Sequence, residues 1–114
     1  MDNMSTSFRI AVNANQEIII EILRRHFKQL GPIRNNKFVL NDNHVVISKN
    51  DDFNEELAVI DEDSFLYYES NVDFFPSNDD QSLENQIILA KEIHLVFIQE
   101  NILAEIISEF ENLL

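Results

Sequence analysis

The spacing of hydrophobic residues changes several times along this chain, and these changes restrict the fold more than any other feature. Residues 8–12 alternate large apolar side chains with other residues, which predicts a half-buried strand. In residues 16–30 the apolar positions recur every three or four residues, which predicts an amphipathic helix. Asn13 or Asn15 can cap its start, and Gly31 is expected in the left-handed conformation just after its end.

Short apolar runs separated by turn residues predict strands in the middle of the chain. Four runs are predicted as strands, at residues 37–40, 44–48, 56–60 and 65–69. Asn41, Asp42 and Asn43 tolerate positive φ, so the first two runs should form a hairpin. Residues 72–75 either extend the last strand past a bulge or form a separate short strand.

The last third of the chain, from residue 82 to 114, is predicted to be helical. Its apolar residues fall on one stripe, which consists of Leu89, Ile93, Val96, Leu103, Ile107, Phe110 and Leu114. A single straight helix over this segment would be about 45 Å long or more, which is too long for so small a domain. We therefore expect two helices with a break near residues 99–101, where Asn101 can cap the second. A rival interpretation makes residues 94–98 a strand.

The predicted order of elements is β-α-β-β-β-β-α-α. Consecutive strands joined by short turns favour an antiparallel sheet, here of four to five strands. Amphipathic helices would then cover one face of that sheet, which gives an α+β fold. At 114 residues the chain has the size of one domain, and we assign residues 1–114 to a single α+β domain.

Composition and the chain start bear on the compartment. The chain contains no cysteine, so neither a disulfide framework nor a thiolate metal site is possible. Its first residues lack the apolar stretch of a secretory signal. The longest nearly uncharged apolar run, at residues 93–98, is far shorter than a membrane span. We expect a cytoplasmic protein.

Charge is distributed unevenly along the chain, whose net charge is -13. Residues 1–49 hold seven bases and four acids, whereas residues 50–114 hold one base and seventeen acids. Between Asn50 and Asp80 there are eleven acids and no base. Such a field repels nucleic acid and anionic membranes and attracts basic proteins. The sequence therefore predicts a basic protein partner, with no direct contact to nucleic acid or membrane.

Motifs that carry catalytic or metal chemistry are scarce. His26, His44 and His94 lie far apart and match no metal-ligand spacing, so hydrogen-bonded structural roles are expected for His26 and His94. EF-hand and phosphate-binding loops both need glycine, and the single glycine, Gly31, lies at a predicted helix end. No serine lies in a G-x-S-x-G motif. We expect no enzyme, no cofactor and no metal site.

Aromatic and acidic residues interleave around Tyr67 and Tyr68. If residues 65–69 form a strand, one of these tyrosines points at solvent beside carboxylates. Tyrosine supplies contact area and acids steer a basic partner, so the pattern suits an interface. In the alternative, both tyrosines pack in the sheet and the acids are only solvated. The predicted partner-binding residues are Asp51, Asp52, Glu55, Glu56, Asp61, Glu62, Asp63, Tyr67, Tyr68, Glu69 and Asp73.

In its general layout the chain resembles the immunity proteins that bacteria make against polymorphic and contact-dependent toxins. The resemblance rests on the layout from Phe8-Arg9-Ile10-Ala11-Val12 through the acidic β region, and on the closing segment Leu103-Ala104-Glu105-Ile106-Ile107-Ser108-Glu109-Phe110-Glu111. Immunity proteins are often short, acidic, cytoplasmic and α+β, and they neutralise a basic toxin by covering its active site. The resemblance implies an inhibitor. Because the first predicted helix is basic, the contact face should lie within residues 51–73.

Three other functions remain open at the level of sequence. An acidic chain can mimic nucleic acid, as a phage factor that occupies the DNA channel of a defence enzyme would do. A small enzyme or ligand-binding domain would need a deep pocket around His44 or His94. Self-assembly through the C-terminal helical region is the third, since its apolar residues spread wider than one sheet face needs.

Overall fold

A computed structural model shows one five-stranded antiparallel sheet and two α-helices, and it describes residues 6–59, 63–77 and 82–114. In chain order the elements are β1 (Phe8–Val12), α1 (Gln16–His26), β2 (Lys37–Leu40), β3 (Asn43–Lys49), β4 (Ser70–Pro76), α2 (Leu83–Gln99) and β5 (Ala104–Ile107). Across the sheet the strand order is β2-β3-β4-β1-β5. The predicted α+β fold, with an antiparallel sheet of up to five strands, is confirmed.

Local signals in the sequence define several of these elements. Asn15 caps α1, where its side-chain oxygen accepts a hydrogen bond from the backbone N–H of Ile18 at 2.9 Å. Ser82 caps α2 in the same way through the N–H of Asn85. The predicted hairpin forms between β2 and β3, and Asn41 and Asp42 at its turn both have positive φ.

Both helices pack on the same face of the sheet, as predicted. Alternate strand residues point to this face and join helix residues in one buried cluster, which includes Ile10, Val12, Val45, Val72, Ile19, Leu23, Leu89, Ile93 and Phe97. The rings of Phe8 and Phe74 stack with centroids 4.5 Å apart, and Phe110 packs edge-on against Phe8. This helix face of the sheet is the main core.

One buried polar pair ties α2 to the sheet within that core. Asn43 of β3 and Gln86 of α2 are both fully buried, and their side-chain amides exchange hydrogen bonds at 3.0 and 2.9 Å. Gln86 also donates to the backbone oxygen of Thr6, and Asn43 donates to that of Asn41. A buried amide is costly unless it is bonded, so this network fixes the position of α2 along the strands.

The structure corrects the predicted second strand pair. Residues 57–59 and 64–67 form two short 3₁₀ turns instead of strands, and Ile60 lies outside the described residues. The strand that follows β3 in the sheet is β4, at residues 70–76, so residues 72–75 belong to a separate strand. The intervening chain crosses one face of the sheet and does not lengthen it.

A second correction concerns the C-terminal third. One helix, α2, ends at Gln99, and residues 94–98 are helical rather than a strand. Asn101 does not cap a second helix; it has a φ of 62° and reverses the chain direction. The chain then forms β5, which pairs with β1 at the edge of the sheet. Residues 104–107 have apolar spacing typical of a helix, but they form a strand because β1, near the other end of the chain, pairs with them.

The end of α1 also differs from the prediction. The helix stops at His26 rather than Leu30, and Gly31 does not have a positive φ. Residues 27–33 run beside the edge of the sheet instead, where the N–H of Gly31 donates to the oxygen of Val39 at 3.0 Å. This path lets Phe27, Leu30 and Ile33 pack against the main core, which offsets the lost helical hydrogen bonds.

Candidate partner-binding surface

The strongly acidic stretch of the sequence forms a connection between β3 and β4. We call residues 50–69 the acidic segment; the structure describes them at 50–59 and 63–69. In β1, Ile10 and Val12 point into the main core, so Ala11 between them points to the opposite face of the sheet. Ala11 packs against Ala58 and Tyr68 in a second, smaller buried cluster. The acidic segment therefore lies on the sheet face opposite the two helices.

Asn50 holds the start of the acidic segment against its end. Its side-chain amide donates to the backbone oxygens of Leu66 and Tyr68 at 2.9 and 2.8 Å. Its side-chain oxygen accepts from the N–H of Asp52, and its own N–H donates to the oxygen of Glu69. One residue thus bonds to both ends of the segment, which restricts the backbone of the acidic residues.

Asn54 organises the first 3₁₀ turn in a similar way. Its side-chain oxygen accepts from the N–H groups of Glu56 and Leu57, each at 3.0 Å. Its backbone N–H donates to the oxygen of Tyr67, and its backbone oxygen accepts from the N–H of Ala58. The sequence reasoning missed both asparagines. Asn-Asp-Asp and Asn-Glu-Glu are sequences in which an asparagine side chain bonds to the backbone two residues on, so a signal was present.

Apart from Asp73, the predicted acidic residues fall into three groups. Asp51, Asp52, Glu55, Glu56 and Asp63 are exposed on the acidic segment. Glu69 is half-buried at its end. Asp61 and Glu62 lie outside the described residues.

Asp73 is different, because it lies in the sheet and its charge is paired. Its two carboxylate oxygens accept from Nε and a terminal guanidinium nitrogen of Arg9 on the neighbouring strand, at 2.7 and 3.0 Å. This bidentate contact raises the pKa of Arg9 above its usual value, mainly through the hydrogen bond to Asp73. Asp73 therefore supplies little free charge to a partner.

Within the described residues, the carboxylates of Asp51, Asp52, Glu55 and Glu56 form no salt bridge with the bases of α1. In the part of the chain that the structure describes, the salt bridges join Arg9 to Asp73 and join Glu100 to Arg25 and His26. None of them involves the four carboxylates at positions 51, 52, 55 and 56. Helix α1 packs on the other face of the sheet, so its bases lie across the molecule from these acids.

The two tyrosines are less exposed than an interface anchor would be. Tyr68 is only 8% exposed, and Tyr67 is half-buried against the same small cluster. Burial, assisted by the charge of Glu105, raises the pKa of the Tyr68 phenol above its usual value. In a 3₁₀ turn the residues at i and i+3 share a side, which brings Phe65 and Tyr68 inward together.

The same geometry turns other apolar residues outward. Leu66 is 53% exposed and Val59 is 67% exposed, and Leu57 is exposed beside them. The sequence reasoning missed these residues as contact candidates, because it read both segments as strands with period two. Apolar side chains among exposed carboxylates give the acidic segment both contact area and charge.

The histidines hold structural or solvent positions. His26 bonds to Glu100 at 3.0 Å, and His94 Nε2 lies 2.9 Å from the backbone oxygen of Ala104. His44 is exposed on β3. Among residues 6–59, 63–77 and 82–114, no three histidine or acidic side chains come together to hold a metal ion. No helix in the same ranges is long and apolar enough to cross a membrane.

A groove lies beside β5, with a volume of about 540 Å³. It is lined by Lys91, His94, Glu105, Ile106, Asn112 and Leu114. The ring of His94 is already bonded to the backbone of β5, and Glu105 is exposed.

Comparison with protein-family models, with curated proteins and with solved structures finds no match to this chain. Function is therefore inferred from the geometry and charge of the acidic segment.

Proposed function

We propose that this protein binds and inhibits a basic protein partner through the acidic segment. The observation that carries the proposal is a set of four exposed, unpaired carboxylates on a backbone fixed by Asn50 and Asn54. A charged surface that is already ordered loses little conformational entropy when a partner docks. This distinguishes the acidic segment from a flexible acidic tail.

Charge governs the first stage of the proposed encounter. An uncompensated negative field draws a basic protein toward the acidic segment and raises the association rate, which falls as salt screens the field. The bases of α1 lie on the opposite face, so a basic partner is oriented toward one side of the molecule. Fast, salt-sensitive association is the expected kinetic signature.

Apolar contact supplies the later stage. Leu57, Val59 and Leu66 are exposed beside the carboxylates and would be covered by the partner. Buried apolar area slows dissociation, whereas rim charges act mainly on association. The proposed contact set therefore consists of the acids at 51, 52, 55, 56 and 63 and these three apolar side chains.

The most concrete form of this function is an immunity protein for a bacterial toxin. The α+β fold and the surface charge agree with the expectation drawn from the resemblance to that class. The toxin would be a basic protein, such as a nuclease, whose active site the acidic segment covers. Inhibition by occlusion requires no catalytic residue, cofactor or metal in the inhibitor.

The test is co-purification of the partner from the native cell at low and at high salt. The decisive variant carries Asp51→Asn, Asp52→Asn, Glu55→Gln and Glu56→Gln together. We expect wild-type protein to retain a basic protein at low salt and release it at high salt. The variant should retain at most about one tenth as much of the basic protein, because close charge pairs at interfaces are each worth about 1.5 kcal/mol or more.

A matched control removes the same number of charges elsewhere. Glu17→Gln, Glu21→Gln, Glu84→Gln and Glu92→Gln change four exposed helix residues and the net charge equally. Retention by the control should stay close to wild type. Equal loss in both variants would show that net charge alone acts, and the proposal would fail. Duplex DNA that competes for the recovered partner would instead favour nucleic-acid mimicry.

A further inference from the structure

Half of the sheet face that carries the acidic segment is left open. The strand register places Lys37, Val46, Asp73, Arg9 and Ile107 side by side in one row across five strands. A second row, nearer one end of the strands, holds Val39, His44 and Phe75. We call the exposed members of these rows the open strand face; they are Arg9, Lys37, Val39, His44, Phe75 and Ile107.

This face of the molecule has the shape of a step. The row that contains Ala11 and Asn71 lies next to the row of Arg9 and Asp73, and Ala58 and Tyr68 cover it at Ala11. The acidic segment therefore stands above the sheet at one end of the strands, and the open strand face lies lower at the other end. Phe75 is 47% exposed there. If a second copy is rotated by 180° about an axis that lies along the sheet and crosses the strands, its raised end faces the lower end of the first copy. The two steps are then complementary in shape.

The two levels of the step also carry opposite charge. The acidic segment exposes Asp51, Asp52, Glu55 and Glu56, whereas the open strand face exposes the ammonium group of Lys37. Arg34 lies beside Lys37 in the same groove, whereas Glu109 lines a second groove with Phe75 and Ile107. Asp73 faces the same side but is bonded to Arg9. After the half-turn, acids of each copy approach bases of the other.

In the same arrangement, exposed apolar side chains of one copy face exposed apolar side chains of the other. Leu57, Val59 and Leu66 are exposed on the raised level, and Val39, Phe75 and Ile107 are exposed on the lower level. From this geometry we propose that two copies of the chain form a twofold dimer, in which the acidic segment of each covers the open strand face of the other. Such an interface is isologous and closes after two copies.

This dimer differs from assembly through the C-terminal helical region, for which α2 would supply the contact. It also shares the acidic segment with the proposed partner. A bound basic partner and a second copy therefore exclude each other, and the partner converts dimer to monomer. Self-association can be measured with the purified protein alone, so its failure would leave partner binding intact.

The first test is sedimentation equilibrium at about 0.15 M salt, where repulsion between net charges is screened beyond about 8 Å. Protein concentration runs from about 10 µM to about 1 mM, which covers weak dimers. The expected result is a monomer–dimer equilibrium. Phe75→Glu places a carboxylate under the acidic segment of the other copy and should weaken association about tenfold or more. A single monomer at every concentration would overturn the proposal.

Leu95→Glu is the matched control. Leu95 lies on the outer side of α2 and is 54% exposed, close to the exposure of Phe75. The control should associate as wild type does. If it weakens association as much as Phe75→Glu, the dimer forms through α2 and the proposal is wrong. Far-ultraviolet circular dichroism checks that both variants are folded.

A second test uses chemical crosslinking to measure which surfaces of the two copies are in contact. The chain has no cysteine, so Leu66→Cys and Phe75→Cys each introduce one thiol at an exposed position. The two variants are mixed, one of them isotopically labelled, and treated with a short bismaleimide. The proposal predicts that links between the two different variants outnumber links between two copies of the same variant. A predominance of same-variant links, or no links, would contradict it.

Discussion

The two faces of the sheet are covered by structures of different kinds. On one face, α1 and α2 close a continuous apolar core around side chains such as Phe74, and the polar pair Asn43–Gln86 fixes their position. On the other face, the acidic segment crosses only part of the sheet and buries a small cluster around Ala11. Asparagine side chains, rather than a large apolar area, hold that segment in place.

The first face accounts for the stability of the fold, and the second carries the surface proposed for partner binding. The helix face holds most of the buried apolar side chains, and their burial favours folding. The other face keeps carboxylates and apolar side chains exposed on an ordered backbone, which is the combination that a binding surface requires. Substitutions on the first face should therefore unfold the protein, whereas substitutions on the second should change binding and local order. Four experiments sharpen this comparison.

Two adjacent phenylalanines provide the largest expected contrast. Phe74 is fully buried on the helix face and stacks on Phe8, whereas Phe75 points to the other face. Phe74→Ala should lower the free energy of unfolding by about 3–5 kcal/mol, because it removes a core ring and leaves a cavity. Phe75→Ala should cost less than about 1 kcal/mol. Urea denaturation measures both, and equal losses would show that the two faces do not differ as described.

The buried amide pair gives the next largest effect. Gln86→Leu leaves the Asn43 amide and the backbone oxygen of Thr6 without these hydrogen bonds. The free energy of unfolding should fall by about 1–3 kcal/mol, the usual cost of unsatisfied buried polar groups. Asn85→Leu, at the exposed neighbouring position, is the control and should change stability by less than about 0.5 kcal/mol. An unaffected Gln86→Leu protein would mean that the pair does not fix α2.

Asn50 tests how the acidic segment is held. Asn50→Ala removes the side-chain bonds to Leu66 and Tyr68, and hydrogen exchange should speed up about tenfold at the amides of Asn54 and Tyr68. Strand amides of the helix-face core should keep their protection. Asn112→Ala changes an exposed asparagine elsewhere and should alter neither set. Uniform acceleration across the chain would contradict a locally fixed segment.

The smallest expected effect is a change in the pH dependence of stability, and it arises at Glu100, just after the end of α2. The pKa of Glu100 is lowered from its usual 4.5, mainly by the hydrogen bond to His26 and also by Arg25. Its carboxylate therefore stabilises the folded state fully above pH 4.5, and this contribution is lost as the pH falls through the lowered value. Glu100→Gln should flatten the acid limb of a stability–pH curve. An unchanged limb would show that Glu100 makes no such contribution.

Sequence reasoning succeeded where the signals are local. The Asn15 cap and the Asn41–Asp42 turn depend on residues within a few positions, so α1 and the hairpin were predicted. The predictions were wrong where a residue distant in the sequence determines the local structure. Phe65 and Tyr68 face inward because Ala11, near the other end of the chain, lies beneath them. Residues 104–107 form a strand because β1 is available to pair.

The candidate surface was predicted only in part, for the same reason. A run of acids without bases is visible in the sequence, and exposure of the carboxylates at 51, 52, 55 and 56 follows from their charge. Asp73 and Arg9 are 64 positions apart in the sequence, so no local pattern indicates that they pair. The outward apolar residues depend on 3₁₀ geometry, which the alternating pattern around Tyr67 concealed.

The most direct test of the proposed function is a stopped-flow measurement of association with the recovered partner across a range of salt concentrations. We predict fast association for the wild type that slows steeply as salt increases. The variant neutralised at positions 51, 52, 55 and 56 should associate slowly with a shallow salt dependence, while the four-glutamate control should match the wild type. Identical rates and salt dependence for wild type and the acidic-segment variant would contradict the account.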